Sequence, residues 1–462
     1  MISPTTTALV ATIAVPVMMS AAIRWRSALI GILPFLVLLN GVPLPVLGVS
    51  VHFDQVIACL LTAAVGADVV AGVRRLRTDP VTWWLAGLLV VNLAASALNS
   101  PAPSYSLLEC ANLASVWVIY LLVINLVETG PQLESFFRRS LWAAAAEGCV
   151  SIAAYVLNVI GVPVGGADVS ESAAERLTTP YGAYGTMVEP NIFGSFSAAY
   201  LVLCVVLLMI AAQRPSAVPN ARLLRWVAVI TAGGLVLSFT RAAWLGAAVG
   251  IAGFALFARP MLGVRVRVSR ALIPLGLALG AIIVLWFLPG NAGDLFRFKV
   301  LNLFNIASPT GVIRLLTYVA ALEQSRQHLL IGWGTFSFAP LALQGSDFRQ
   351  FDNWQNLWIG NYFLLALHDT GIIGLTLWVG LISTILVRGV RAVRWLRGVN
   401  QVASSRAVAL VCAVTTLLIP FLATSGFSLG YSWLLIGLLG AYCRPWESVV
   451  APPLSDSPDA ST

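Results

Sequence analysis

Apolar runs of about 17–25 residues recur along the chain, separated mostly by short polar connections. In water such runs would have nowhere to hide, whereas each is long enough to cross the hydrocarbon core of a bilayer as a helix. About thirteen spans can be placed. They lie near residues 6–22, 28–46, 56–73, 81–98, 108–126, 140–160, 191–212, 224–239, 242–258, 271–289, 361–386, 406–423 and 428–443. Several are short, so twelve spans or a re-entrant piece fit as well. The pattern predicts an all-α polytopic membrane protein with about 12–13 transmembrane helices.

The polar connections give these spans a direction. Arg24 and Arg26, Arg74, Arg75 and Arg77, Arg138 and Arg139, Arg214, Arg222 and Arg225, Arg259, Arg265, Arg267 and Arg270, and Arg388, Arg391, Arg394, Arg397 and Arg406 all fall in alternate connections. Connections rich in arginine stay in the cytoplasm. The intervening ones, 47–55, 99–107, 161–190, 240–241, 290–360 and 424–427, are then external, with the N-terminus outside and the C-terminus inside. The first segment has no basic leader and no clear cleavage site, and reads as a retained span.

The one long polar interruption runs from Pro289 to Asn361. It divides the chain into N-terminal membrane helices over 1–289, an external loop over 290–360, C-terminal membrane helices over 361–444 and a cytoplasmic tail over 445–462. Within the loop, residues 310–330 have apolar side chains at 312, 315, 316, 319 and 322, the spacing of an amphipathic helix. That helix is expected to lie along the membrane surface or to cap the bundle. The glycine- and aromatic-rich stretch after it reads as an irregular lid or wall. The tail holds four prolines among small polar residues and is expected to be disordered.

Composition sharpens this picture. Of 462 residues, 59% are hydrophobic and only 10% charged, with a mean hydropathy of +0.88. The net charge of +8 is therefore an orientation signal carried by short loops and no argument for a nucleic-acid partner. Six cysteines, all in or beside apolar segments and none in CxxC spacing, read as small core residues. No His/Cys/Asp/Glu set has metal-site spacing, and no phosphate loop, dinucleotide fingerprint or HExxH sequence occurs. Neither metal nor cofactor is expected. No internal repeat appears, which counts against an inverted-repeat transporter of lipids or polysaccharides, the main alternative to an enzyme. A purely structural membrane subunit is the third reading.

Candidate chemistry gathers on the external side. Arg241 sits in a tight turn between two spans, against the positive-inside trend. A guanidinium there can grip phosphate with a fixed fork of donors, helped by Ser238 and Thr240, or it can simply end a helix by snorkelling. Arg314 opens the amphipathic segment and can face Arg241, a pair suited to a pyrophosphate, or face solvent. Arg297 and Arg349 are weaker versions of the same idea. Glu189 precedes Pro190 and Asn191 at the start of a span, where it caps the helix or serves as a base. His368 and Asp369 lie inside an apolar run, where ionisable side chains are costly; they do acid–base work or bond across helices.

Around these residues the chain resembles a known family. LSFTRAAWLGAAVG, holding Arg241, resembles the Ser-x-x-Arg-Gly signature of the O-antigen ligase and polysaccharide polymerase family, with Ala242 at the glycine. In the same order, GTMVEPNIFGSF resembles the family's Asn-x-x-Gly/Ala segment. RLLTYVAALEQSRQHLLIGWGTF resembles its Arg-x-x-x-Trp/Tyr segment, through Arg314 and Tyr318. GNYFLLALHDTGIIGLTLW resembles its His-Asn segment, with Gly360 at the histidine and Asn361 at the asparagine.

The resemblance implies a GT-C-like glycosyltransferase of the bacterial cytoplasmic membrane, working on its extracytoplasmic face without metal or nucleotide sugar. Its partners would be an undecaprenyl-diphosphate-linked oligosaccharide, a glycan acceptor and membrane lipids, with chain-length regulators or flippases as further partners. Arg241 and Arg314 would hold the donor diphosphate. Glu189, His368 or Asp369 would supply a base. Ser238, Thr240, Asn191, Arg297, Tyr318 and Asn361 would contact substrate. The missing histidine at Gly360 favours a polymerase, with inversion at the sugar, or an atypical ligase; a ligase with a distinct acceptor is the alternative reading.

Overall fold

The computed structural model describes residues 23–42, 44–46, 49–159, 182–263, 309–342, 358–424 and 426–450, with isolated positions between 162 and 301. Helix α1 runs through residues 23–36. A short antiparallel hairpin follows, with Leu44–Val46 (β1) paired to Val49–Val51 (β2). The long helices are α2 (Phe53–Val70), α3 (Pro80–Leu98), α4 (Pro103–Leu126), α5 (Gly130–Val159), α6 (Pro190–Ala211), α7 (Ala221–Leu237) and α8 (Arg241–Leu262). The loop contributes α9 (Pro309–Ser325) and the single turn α10 (Phe338–Ala342). Then come α11 (Tyr362–Val399), α12 (Gln401–Leu418) and α13 (Gly430–Val450).

Seven helices among the described residues are long and apolar enough to cross a membrane: α2 to α6, α11 and α12. The expected spans near 224–239, 242–258 and 428–443 are the apolar helices α7, α8 and α13. The expected spans 6–22 and 271–289 fall wholly or mostly outside the described residues. The span expected over 28–46 is helical only to residue 36, because the Gly41–Pro45 segment breaks the helix and feeds the hairpin. The tail expected from 445 begins later, since α13 continues to Val450; residues 451–462 lie outside the described residues, as do most of the loop over 290–308, the segment 343–357 with Arg349, and the acidic stretch 165–181.

The helices start where the sequence punctuates them. Asp79 caps α3, its carboxylate accepting from Thr82 N at 2.9 Å with Pro80 in the first turn. Pro103 and Pro190 open α4 and α6 the same way. Asn361 caps α11 and Asn400 caps α12 through their side-chain oxygens. Helix α6 is apolar on every side and is accordingly the central helix, packed by α7, α8 and α12.

Contacts between helix ends sort them into two faces. At the arginine-rich face, Arg74 bonds Asn125 O and Glu128, Arg388 pairs with Asp79, Arg406 pairs with Glu134, and Arg444 bonds the carbonyls of Ile124 and Val127 at the end of α4. Cations at a helix C-terminus satisfy orphan carbonyls and the helix dipole together. At the opposite face, Gly41 N bonds Thr186 O, Ala183 N bonds Leu237 O, and Thr240 Oγ1 bonds Pro190 O. The turn bearing Arg241 belongs to this second face.

Helix α9 packs on α11 through its small side, where Thr317, Ala321 and Ser325 are buried. Its apolar stripe, Leu315, Leu316, Val319 and Leu322, points outward, as suits a helix that meets lipid. Helix α11 is broken at Gly371, with φ 64° and ψ −166°. A Cβ there would lie 2.4 Å from the Leu330 carbonyl, and Ile372 N instead bonds Leu329 O at 2.8 Å. That conformation is open essentially to glycine alone. Gly371→Ala is expected to lower stability by about 2–3 kcal/mol or more, seen as an earlier loss of the monodisperse peak in heated size-exclusion runs. Gly398→Ala, in open space at the far end of the same helix, should be neutral or slightly stabilising.

Candidate functional site

The site is built on Glu189. The residues before it are held in place by a buried carboxylate: Glu147 of α5 accepts from Thr186 N at 3.0 Å, from Thr186 Oγ1 at 2.6 Å and from Ser151 Oγ at 3.2 Å. The chain therefore approaches α6 along a fixed path. Glu189 occupies the N-cap position of α6, yet its side chain makes no capping bond to the helix. Its Oε1 instead accepts from Thr424 Oγ1 at 3.2 Å, across from the α12–α13 connection. The expected cap is thus a carboxylate turned toward the site, and Asn191 two residues on shares a side-chain hydrogen bond with it.

Arg314, on the α9 side chain row that also carries Tyr318, lies within electrostatic reach of Glu189, Arg241 and Tyr318. Arg241 is exposed at the first position of α8. Four chain segments distant in sequence therefore converge: the start of α6, the α7–α8 turn, α9 and the α12–α13 connection. Tyr318 donates to Leu422 O at 3.4 Å, closing the cluster on that last side. Two guanidinium groups within mutual electrostatic reach repel each other, and a bound anion would relieve that.

Burial pushes the Glu189 carboxyl above the usual carboxylate range. The Thr424 hydroxyl, the Arg314 charge and the Asn191 side chain pull it back part of the way. Burial also raises the Tyr318 phenol, against the pull of Arg314. A carboxyl lifted toward neutrality is better matched to taking a proton from a hydroxyl than an ordinary one.

The other sequence candidates are placed differently. Ser238 donates to Leu235 O at 2.8 Å and Thr240 donates to Pro190 O at 3.0 Å; both hydroxyls are buried and knit the turn that carries Arg241. Phe239 between them has a left-handed φ of 52°. Asn361 spends its side-chain oxygen on Phe363 N and Leu364 N as the cap of α11. Arg297 donates to Trp286 O at 2.6 Å.

His368 and Asp369 form a fully enclosed pair away from this cluster. His368 Nδ1 meets Asp369 Oδ1 at 2.8 Å, and its Nε2 meets Gln324 Oε1 of α9 at 2.9 Å. Asp369 Oδ2 accepts from Phe336 N at 2.9 Å, while Trp333 N and Gly334 N bond the carbonyls of His368 and Asp369. The pair makes the bonds across helices that one of its two readings expects. It fastens α9 and the stretch after it onto the break in α11.

Gly360, where the resemblance calls for histidine, has room for a side chain: a Cβ would lie 3.5 Å from Ala423 O and 3.7 Å from the Tyr318 hydroxyl. The Tyr318 phenol thus borders the space that a histidine would enter. Glu147 and Thr424 went unread in the sequence. Glu147 did carry a signal, as an acidic residue in the run Ala143-Ala144-Ala145-Ala146-Glu147 within a span. Thr424 carried none, because a lone threonine in a short connection is unremarkable.

Residues 226–379 match the model of the O-antigen ligase family. Over this segment the chain is similar to that family. The matched residues include Arg241, Arg314, Tyr318, Asn361 and the His368–Asp369 pair, whereas Glu189 lies upstream of them. No curated protein matches the chain. A family model described as a ligase, on a multi-pass membrane protein, supports glycan transfer at the membrane. Among the described residues no group of His, Cys, Asp and Glu could hold a metal ion.

The raised Glu189 carboxyl has a thermodynamic consequence. A group whose folded-state pKa is raised adds stability below its unfolded value and loses it as pH rises through the folded value. Glu189→Gln removes that loss. The variant is expected to melt higher than wild type at neutral pH, with the difference shrinking as pH falls into the ordinary carboxylate range. Thermal unfolding in detergent across that range measures it.

Proposed function

We propose that the protein transfers a glycan from a polyprenyl-diphosphate donor to a distinct glycan-bearing acceptor at the extracytoplasmic membrane face, as an O-antigen-ligase-type enzyme of GT-C-like architecture. The position of Arg314, within electrostatic reach of both Glu189 and Arg241, carries this reading. The arginines suit a diphosphate, and the carboxyl suits a hydroxyl nucleophile. The donor is taken to be undecaprenyl-diphosphate-linked, its tail lying among the membrane helices.

In this mechanism the acceptor hydroxyl attacks the anomeric carbon from the side opposite the diphosphate. Its proton passes to the Glu189 carboxylate. The bond from the anomeric carbon to the diphosphate oxygen breaks, and the electron pair leaves with undecaprenyl diphosphate. Arg241 and Arg314 meet the charge that grows on that oxygen. The configuration at the sugar inverts. Asn191, bonded to the carboxyl, and Tyr318, beside Arg314, orient the acceptor. The metal-independent chemistry expected from the sequence is retained, since the leaving charge is met by guanidinium groups.

A polymerase, the product class expected from the missing histidine, uses the same donor but extends another lipid-linked unit. The ligase description of the matched family favours the distinct acceptor. Purified protein given lipid-linked oligosaccharide and a candidate acceptor separates the two: one new glycoconjugate marks a ligase, and a ladder of repeats marks a polymerase.

Arg241→Ala and Arg314→Ala should each lower turnover about 10²–10³-fold. Arg241→Lys should recover little, because an ammonium lacks the planar fork. Glu189→Gln should cost about 10²–10⁴-fold and abolish the alkaline rise of the rate profile. Unchanged turnover in Arg241→Ala at equal abundance removes the diphosphate role.

A further inference from the structure

At the arginine-rich face, α1, the α2–α3 connection and the α4–α5 turn enclose a cleft of about 310 Å³. Arg26, Arg74 and Arg139 line it, over an apolar floor that includes Ile30, Leu126 and Phe136. It lies at the opposite end of the helices from Arg241 and shares no residue with that site.

The charges in the cleft do not balance. Arg26 pairs with Asp68, and Arg74 pairs with Glu128 at 2.7 Å while reaching Asp68 at 3.6 Å. Three arginines thus face two carboxylates, and Arg139 lies within ion-pair distance of no acidic side chain among the described residues. Yet Arg139 has a built seat. A Cβ at Gly31 would fall 1.6 Å from its Nη1, so the guanidinium rests against bare backbone of α1.

We propose that this cleft binds the phosphate headgroup of an anionic membrane lipid, with Arg139 as the principal cation. A guanidinium presents a planar fork that matches two phosphate oxygens, and Arg26 and Arg74 hold further donors beside it. The floor is apolar. Basic pockets between membrane helices on the cytoplasmic side are where anionic headgroups collect. A soluble phosphate shares the headgroup chemistry but has no use for the apolar floor. A lipid held here would join α1 to the α4–α5 corner.

The test is a melting titration of the full chain in neutral detergent with phosphatidylglycerol, phosphatidylcholine or inorganic phosphate. Phosphatidylglycerol should raise the melting temperature, and phosphatidylcholine should not. Arg139→Gln should need about tenfold more phosphatidylglycerol for the same rise. Gly31→Ala, which takes the seat from Arg139, should shift the titration the same way. Arg391→Gln, an exposed arginine of α11 outside the cleft, should match wild type. Equal protection of wild type and Arg139→Gln overturns the proposal, as does a loss in Arg391→Gln as large as in Arg139→Gln, or an absence of protection in wild type. Protection by inorganic phosphate at the concentrations where the lipid acts assigns the cleft to a soluble anion and overturns the lipid. The readout involves no turnover, so the glycan-transfer reading stands or falls separately.

Discussion

The buried His368–Asp369 pair is the interaction on which the geometry of the external face depends. An imidazole and a carboxylate shielded from solvent hold each other and leave one further bond each. The imidazole spends its bond on Gln324 in α9, and the carboxylate spends its bond on Phe336 N. Because α11 is broken just beyond them at Gly371, the carbonyls of the pair are free to bind Trp333 and Gly334. One point inside the membrane bundle thus anchors a helix whose other end carries Arg314. Buried polar networks of this kind favour a single arrangement, since any alternative leaves polar groups without partners.

A second constraint acts from the other side. Glu147 fixes the backbone ahead of α6, and the Ser238 and Thr240 hydroxyls fix the turn ahead of α8. The side chains that face outward, Glu189 and Arg241, are therefore presented by backbone already satisfied elsewhere. This division of labour holds the backbone beneath an arginine and a carboxylate at defined places. It is how a site can be preorganised for a charge that appears only during reaction.

Much of the architecture was legible in the sequence. Helices α3, α4 and α6 to α8 lie close to the expected apolar runs, α5 starts at Gly130 ahead of the expected 140, and Arg241 falls in the turn expected. Less was legible where two signals coincide in one residue. Glu189 stands at a helix start, and position alone argues for a cap; only the approach of Thr424 from more than two hundred residues away turns its carboxylate aside. Ser238 and Thr240 look like ligand donors because of their place beside an arginine, yet the backbone carbonyls of Leu235 and Pro190 claim them first. The hairpin after α1 was hidden by an apolar run that continues past the helix end, since length and hydropathy do not register a glycine–proline break within it.

The carbonyls at the end of α4 carry a consequence for how the molecule is made. Two of them are bound by Arg444, and the bond to Ile124 O joins residues 320 positions apart. As the chain emerges from the ribosome, α4 enters the membrane long before that arginine exists. Until α13 arrives, the end of α4 must keep those groups in water at the membrane surface, leaving the α4 corner loosely set. Helix α13 therefore acts as a latch, and these two carbonyls gain their partner only after synthesis has passed Arg444.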